Sequence, residues 1–265
     1  MTAMVTMPPA TTERCRQLLQ RWRQDLRLTR REQGLLRGEL TLLDRQLQRL
    51  EHNVLRLAVF GRVGVGKSSL INALVGQRLL ETDVAHGSTR RQQAVTWPLK
   101  LDGLQRVELI DTPGIDEIDA AGRTRLATRV AMGVDLVLLV IDSDLTRCDR
   151  DALETLQASG KPLRLVLNRS DRWPEEQLPE LLDSIRSRLP SDLPLTAVAA
   201  APRRPMLDAD GRVRSSAAPA RVSNLKQQLI DQFQREGELL LALQSLRQAD
   251  RFQQQRQHLR LQQHR

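Results

Sequence analysis

Gly61-Arg62-Val63-Gly64-Val65-Gly66-Lys67-Ser68 carries the pattern G-x-x-x-x-G-K-S. Glycines at this spacing let the backbone curl so that successive N–H groups face an anion, and a helix starting at their end adds its positive terminus. Lys67 can then reach the outer phosphates of a bound chain, and the Ser68 hydroxyl is placed to ligate Mg²⁺, with Ser69 beside it. In isolation such an octapeptide is also an ordinary strand-to-helix turn. Here it follows the apolar run Val54 to Phe60 and precedes the helix-like Ser69 to Leu74, the context that a phosphate cradle requires.

Three further stretches stand where they could complete a nucleotide site. Asp111-Thr112-Pro113-Gly114 ends the expected strand Arg106 to Ile110; its Asp can hold Mg²⁺ through water and its Gly N–H can meet a γ-phosphate. Asn168-Arg169-Ser170-Asp171 follows the expected strand Leu163 to Leu167. Alone it reads equally as a turn after a strand, but it resembles the N-K-x-D guanine signature with Arg in place of Lys. A carboxylate there could accept the adjacent N1–H and N2–H donors of guanine, which adenine lacks, so Asp171 would select the base. Asn168 would tie this loop to the phosphate loop, while the Arg169 stem would lie along the base. Thr89, in Gly87-Ser88-Thr89-Arg90, could close over Mg²⁺ and the γ-phosphate; a solvated loop threonine is the rival reading. Either Thr196-Ala197 or Ala199-Ala200 would supply an amide for the guanine carbonyl.

These residues need elements to position them. The six apolar residues Leu136 to Ile141 read as a central strand buried on both faces of a parallel sheet. Helices are expected from about Ala121 to Met132, over Asp149 to Gln157 and over Pro174 to Leu189; remaining strands are expected at Gln93 to Leu99 and Leu193 to Ala200. Gly76 suits a helix C-cap. This alternation gives an α/β fold, a three-layer domain with a mostly parallel sheet, from residue 54 to 202. Residues 1–53 form an amphipathic helical region with Thr12 as N-cap, in which Gly34 either interrupts one helix or separates two. Residues 203–222 read as an Arg-, Pro- and Ala-rich linker. Residues 223–265 read as a helical region ending in an exposed or partly disordered basic tail from Arg251.

Together these motifs resemble those of the translation-factor-type P-loop GTPases, within them the Era/TrmE-like bacterial group. The resemblance implies a Mg²⁺-dependent switch between GTP and GDP. Lys67, Thr89 and Gly114 would be catalytic, Ser68, Thr89 and Asp111 metal ligands, and residues 61–69, Asp111, Gly114, Asn168, Arg169, Asp171 and Ala199 nucleotide contacts. Ile115 follows the D-x-x-G where Ras-like enzymes carry a water-orienting Gln, so slow intrinsic hydrolysis is expected. Gly64 stands where potassium-activated relatives carry Asn. A partner, a second subunit or Arg90 would complete the site. The flanks resemble Era-like GTPases that continue into a membrane-associated module, although no such module, and no KH-like module, is visible.

The chain holds 41 Lys plus Arg against 32 Asp plus Glu, a net charge of +9. That excess suits an acidic partner such as RNA, a ribosomal surface or anionic lipid, unless it records only an Arg-rich coding bias. Cys15 and Cys148 lie far apart without metal-ligand spacing and read as reduced cytosolic thiols. No apolar run is long enough to span a bilayer. A cytoplasmic protein, peripheral to a membrane at most, is expected.

Overall fold

The computed structural model describes residues 9–82, 92–116, 119–207 and 212–263. In chain order the elements are α1 (Pro9–Asp25), α2 (Arg30–Leu35), α3 (Arg37–Glu51), β1 (Val54–Gly61), α4 (Lys67–Val75), β2 (Gln93–Trp97), β3 (Arg106–Asp111) and α5 (Ala120–Gly133). There follow β4 (Leu136–Ile141), α6 (Arg147–Ala158), β5 (Leu163–Leu167), α7 (Gln177–Arg186), β6 (Leu195–Ala197), β7 (Arg203–Leu207), β8 (Val213–Ala217) and α8 (Ser223–Gln263).

The main sheet runs β2-β3-β1-β4-β5-β6, parallel throughout except for the antiparallel edge strand β2. All residues of β4 are buried, because β1 and β5 flank it and helices cover both faces. One face packs on α4 and the first half of α8 through Leu70, Leu74, Leu225, Leu229 and Phe233. The opposite face packs on α5, α6 and α7 through Val130, Leu153 and Ile185. The result is the three-layer α/β architecture of a P-loop G domain.

The flanks form a third core. Leu43, Leu47 and Leu50 of α3 meet Leu241, Ala242 and Phe252 of α8, and Leu19 of α1 joins them. Trp22 stands edge-on to Phe252, with centroids 6.3 Å apart. Within this helical layer Arg49 pairs with the fully buried Asp135 at 2.5 Å, and Asp135 also accepts the Arg56 amide at 2.7 Å, joining α3 to the sheet.

Several local expectations are corrected. Thr12 lies inside α1 and is buried, so it is not the N-cap. The N-terminal region breaks at Leu26 to Thr29, where Thr29 and Glu32 form a capping box that starts α2, and again at Leu36 between α2 and α3; Gly34 itself lies within the last turn of α2. The stretch read as linker contains the antiparallel hairpin β7–β8. Residues 251–263 are not a disordered tail; they continue α8, which Phe252 anchors in the helical core. Helices α5 and α6 start at side-chain caps, Asp119 for the first and a Thr146/Asp149 capping box for the second.

Candidate functional site

The C-terminal ends of β1, β3, β4 and β5 converge on one edge of the sheet, where open parallel sheets present ligand-binding loops. β1 delivers Gly61 to Ser68. Gly66 has φ 90°, and a Cβ there would lie 2.4 Å from Asn168 Nδ2, so this position requires glycine twice over. Lys67, the first residue of α4, is buried, and its ammonium donates to the carbonyls of Gly61 at 3.1 Å and Arg62 at 2.7 Å. Its charge therefore sits inside the curl of the loop. Ser69 follows in the first turn of α4.

β3 delivers Asp111. The Ser68 hydroxyl donates to Asp111 Oδ2 at 2.6 Å, bringing two oxygen ligands together at the mouth of the loop. Hydroxyl and carboxylate oxygens are the donor set that Mg²⁺ prefers, so these residues fit that ion. Thr112 anchors the turn by donating to the Val59 carbonyl at 2.8 Å. Gly114 touches the phosphate loop: a Cβ there would lie 2.0 Å from Val63 Cγ2 and 2.8 Å from the Val63 nitrogen. Asp116 accepts the Val63 amide at 2.6 Å, a second tie between the loops.

β5 delivers Asn168. Its side chain donates to the Val65 carbonyl at 2.9 Å and accepts the Ala200 amide at 3.0 Å, while only 1% exposed. One amide thus joins the phosphate loop, the Asn168 loop and the segment after β6. Asp171 lies half-buried on the following turn of 3₁₀ helix, Ser170–Arg172. The Ala199 amide, expected to meet the guanine carbonyl, donates to the Arg221 carbonyl at 3.1 Å. Thr196 lies within β6, its hydroxyl on Gln228 at 2.9 Å. Thr89 and Arg90 lie outside the described residues.

Sequence reasoning missed an ion-pair network around this edge. Arg62 pairs with Asp142 at 3.0 Å and Asp149 at 3.1 Å, and Arg169, in the left-handed region at φ 59°, pairs with Asp142 at 2.9 Å. Asp142 follows β4 directly, so the end of the central strand bridges phosphate loop and base loop. Burial opposes the Arg62 charge, but the attraction of Asp149, Asp142 and Asp116 outweighs it and raises its pKa. Burial is the larger influence on Arg169 and lowers its pKa. The local signal is confined to the position of Asp142 just after β4, which does not name its partners.

Residues 56–169 match a family model described as 50S ribosome-binding GTPase. GTPase Der of Rhizobium johnstonii is 42% identical over 121 residues, which cover 43% of this chain and 25% of Der. GTPase Era of Synechocystis sp. is 36% identical over 132 residues, covering 47% of this chain and 40% of Era. The chain thus spans well under half the length of these relatives. A solved structure of Era, in complex with MgGDPNP and a segment of 16S ribosomal RNA, superposes with a TM-score of 0.52 at 22% identity. It covers 68% of this chain and 56% of that one, and the likeness concerns the fold. Residues 56–169 thus match a GTPase family model, and the motifs and sheet topology around them are those of the P-loop GTPase fold that Era shares.

Proposed function

We propose that this chain binds GTP and GDP with Mg²⁺ and hydrolyses GTP slowly, as a switch that a partner stimulates. The observation that carries this reading is the convergence of Lys67, Ser68, Asp111 and Asn168 on one edge of the sheet, with Asn168 bonded to both Val65 and Ala200. Lys67 and the loop amides would hold the β- and γ-phosphates, and Ser68 and Asp111 would hold Mg²⁺, with Thr89 as a further ligand. Bound Mg²⁺ would neutralise phosphate charge. The Gly114 amide would meet the γ-phosphate, and Asp171 would accept the two guanine donors.

Slow turnover follows from Ile115, which is fully buried in the core against α5 and α6. An apolar side chain turned into the core cannot orient an attacking water. Single-turnover hydrolysis of bound GTP tests the proposal: slow release of phosphate that depends on Mg²⁺ and is lost in Lys67→Ala supports it. GTP held without any cleavage would make the chain a binding module instead.

For the partner, we favour RNA. The hairpin after β6 exposes Arg203 and Arg204, adding local positive charge to the excess of +9. Binding to RNA that weakens steeply with salt supports this reading, and no binding at low salt refutes it. No described helix is long and apolar enough to cross a membrane.

A further inference from the structure

A pocket of about 310 Å³ opens between α5, the loop entering β5 and the middle of α8. Its lining includes Thr128, Lys161, Gln244, Arg247, Asp250 and Arg251. Val134 and Lys161 precede β4 and β5, so the pocket lies at the opposite end of the sheet from the phosphate loop.

Its chemistry is cationic. The Lys161 ammonium donates to the Val134 carbonyl at 3.0 Å and to Gln244 Oε1. Gln244 is 2% exposed, and its Nε2 is buried without a hydrogen-bond partner. Arg247 donates to the Gly160 carbonyl at the edge of the pocket. Asp135 pulls Lys161 toward its charged form, and it is already committed to Arg49 and the Arg56 amide. Asp250 adds one carboxylate to the lining and is engaged by Gln254 at 2.8 Å. Burial, with repulsion from Arg49, Arg247 and Arg251, opposes the attraction of Asp135 and brings the Lys161 pKa down to about 7. A half-buried lysine among arginines is the arrangement that a bound anion relieves. The volume lies at the lower end of the roughly 300–1,000 Å³ of small-molecule sites.

We propose that this pocket binds a tetrahedral oxyanion, free or as the phosphate head of a small metabolite, held by Lys161, Arg247 and Arg251. This inference does not depend on the GTPase reading, because none of these residues belongs to the nucleotide edge. Protonated Lys161 is the binding form, so affinity rises as pH falls through about 7.

Equilibrium dialysis of the full chain with labelled sulfate tests it, with and without excess Mg·GDP, which displaces sulfate from the phosphate loop. Sulfate keeps its charge through neutral pH, so any pH dependence belongs to the protein. The expected result is a sulfate site that persists in Mg·GDP and strengthens toward lower pH. Lys161→Met should weaken it about tenfold or more, the loss of one charge-assisted contact. Arg251→Gln, on a partly exposed side chain, should also weaken it and guards against a folding defect in the first variant. Displacement of the label by glycerol phosphate would assign the site to a metabolite head group, and sulfate held against it would assign the site to the free ion. No sulfate site in the presence of Mg·GDP, or equal binding by both variants and wild type, would overturn the proposal.

Discussion

Asn168→Ala removes at once the two bonds by which one buried side chain ties three segments together. The substitution removes the donor to the Val65 carbonyl at 2.9 Å and the acceptor for the Ala200 amide at 3.0 Å. Val65 is fully buried and Ala200 is 6% exposed, so water cannot readily replace either bond. Leaving a buried polar group unsatisfied costs about 1–3 kcal/mol, so the pair should cost about 2–6 kcal/mol of folding stability. For a chain of this size each kcal/mol lowers Tm by roughly 2–4 °C, giving a fall of about 4–24 °C. Thermal unfolding followed by circular dichroism without nucleotide measures this directly. Asp171→Ala is the control: half-buried on its turn, it should change stability by only about 0.5 kcal/mol while weakening guanine binding. A loss under about 1 kcal/mol in Asn168→Ala would refute the claim that this side chain staples the loops together.

Gly114→Ala should force the two phosphate-facing loops apart, because its Cβ would lie 2.0 Å from Val63 Cγ2 and 3.0 Å from Val63 Cα. Such overpacking costs about 1–3 kcal/mol, and GTP affinity should fall toward that of GDP; unchanged discrimination in a binding titration would contradict the contact. Asp135→Ala leaves Arg49 buried without its 2.5 Å partner and should cost about 3–5 kcal/mol in urea unfolding. Glu32 is held down to about 2, first by the Arg260 hydrogen bond and then by the Thr29 amide, against an ordinary value of 4.5. A depressed carboxylate stabilises the fold above pH 4.5 and loses that contribution as pH falls toward 2, so an acid titration read by fluorescence should be flatter in Glu32→Gln.

The parts of the site that were legible in the sequence are those whose chemistry is local. The phosphate loop, Asp111 and Asn168 each lie at or just past the end of a strand, and short motifs with fixed neighbours survive reading in one dimension. The all-buried run Leu136 to Ile141 announced β4 for the same reason. The Asp142 bridge between Arg62 and Arg169 was not legible, because it joins residues far apart in a chain rich in charges. The hairpin Arg203 to Ala217 lacks alternating apolar residues, so composition favoured a linker. At the C-terminus Phe252, buried against Trp22, and the partly buried Leu259 hold to the helical core a helix end whose other residues are mostly Gln and Arg. The Thr29-to-Glu32 box is written in the sequence as T-x-x-E.

The most direct test of the central claim compares binding of GTP, ATP and XTP, each with Mg²⁺, to wild type and to Asp171→Asn. Wild type should prefer GTP, and the variant should shift toward XTP, since an amide can donate to the xanthine carbonyl where the carboxylate accepted from guanine. Equal binding of ATP and GTP by wild type would show that the Asn168 loop does not read the base, and would remove guanine specificity from the proposed function.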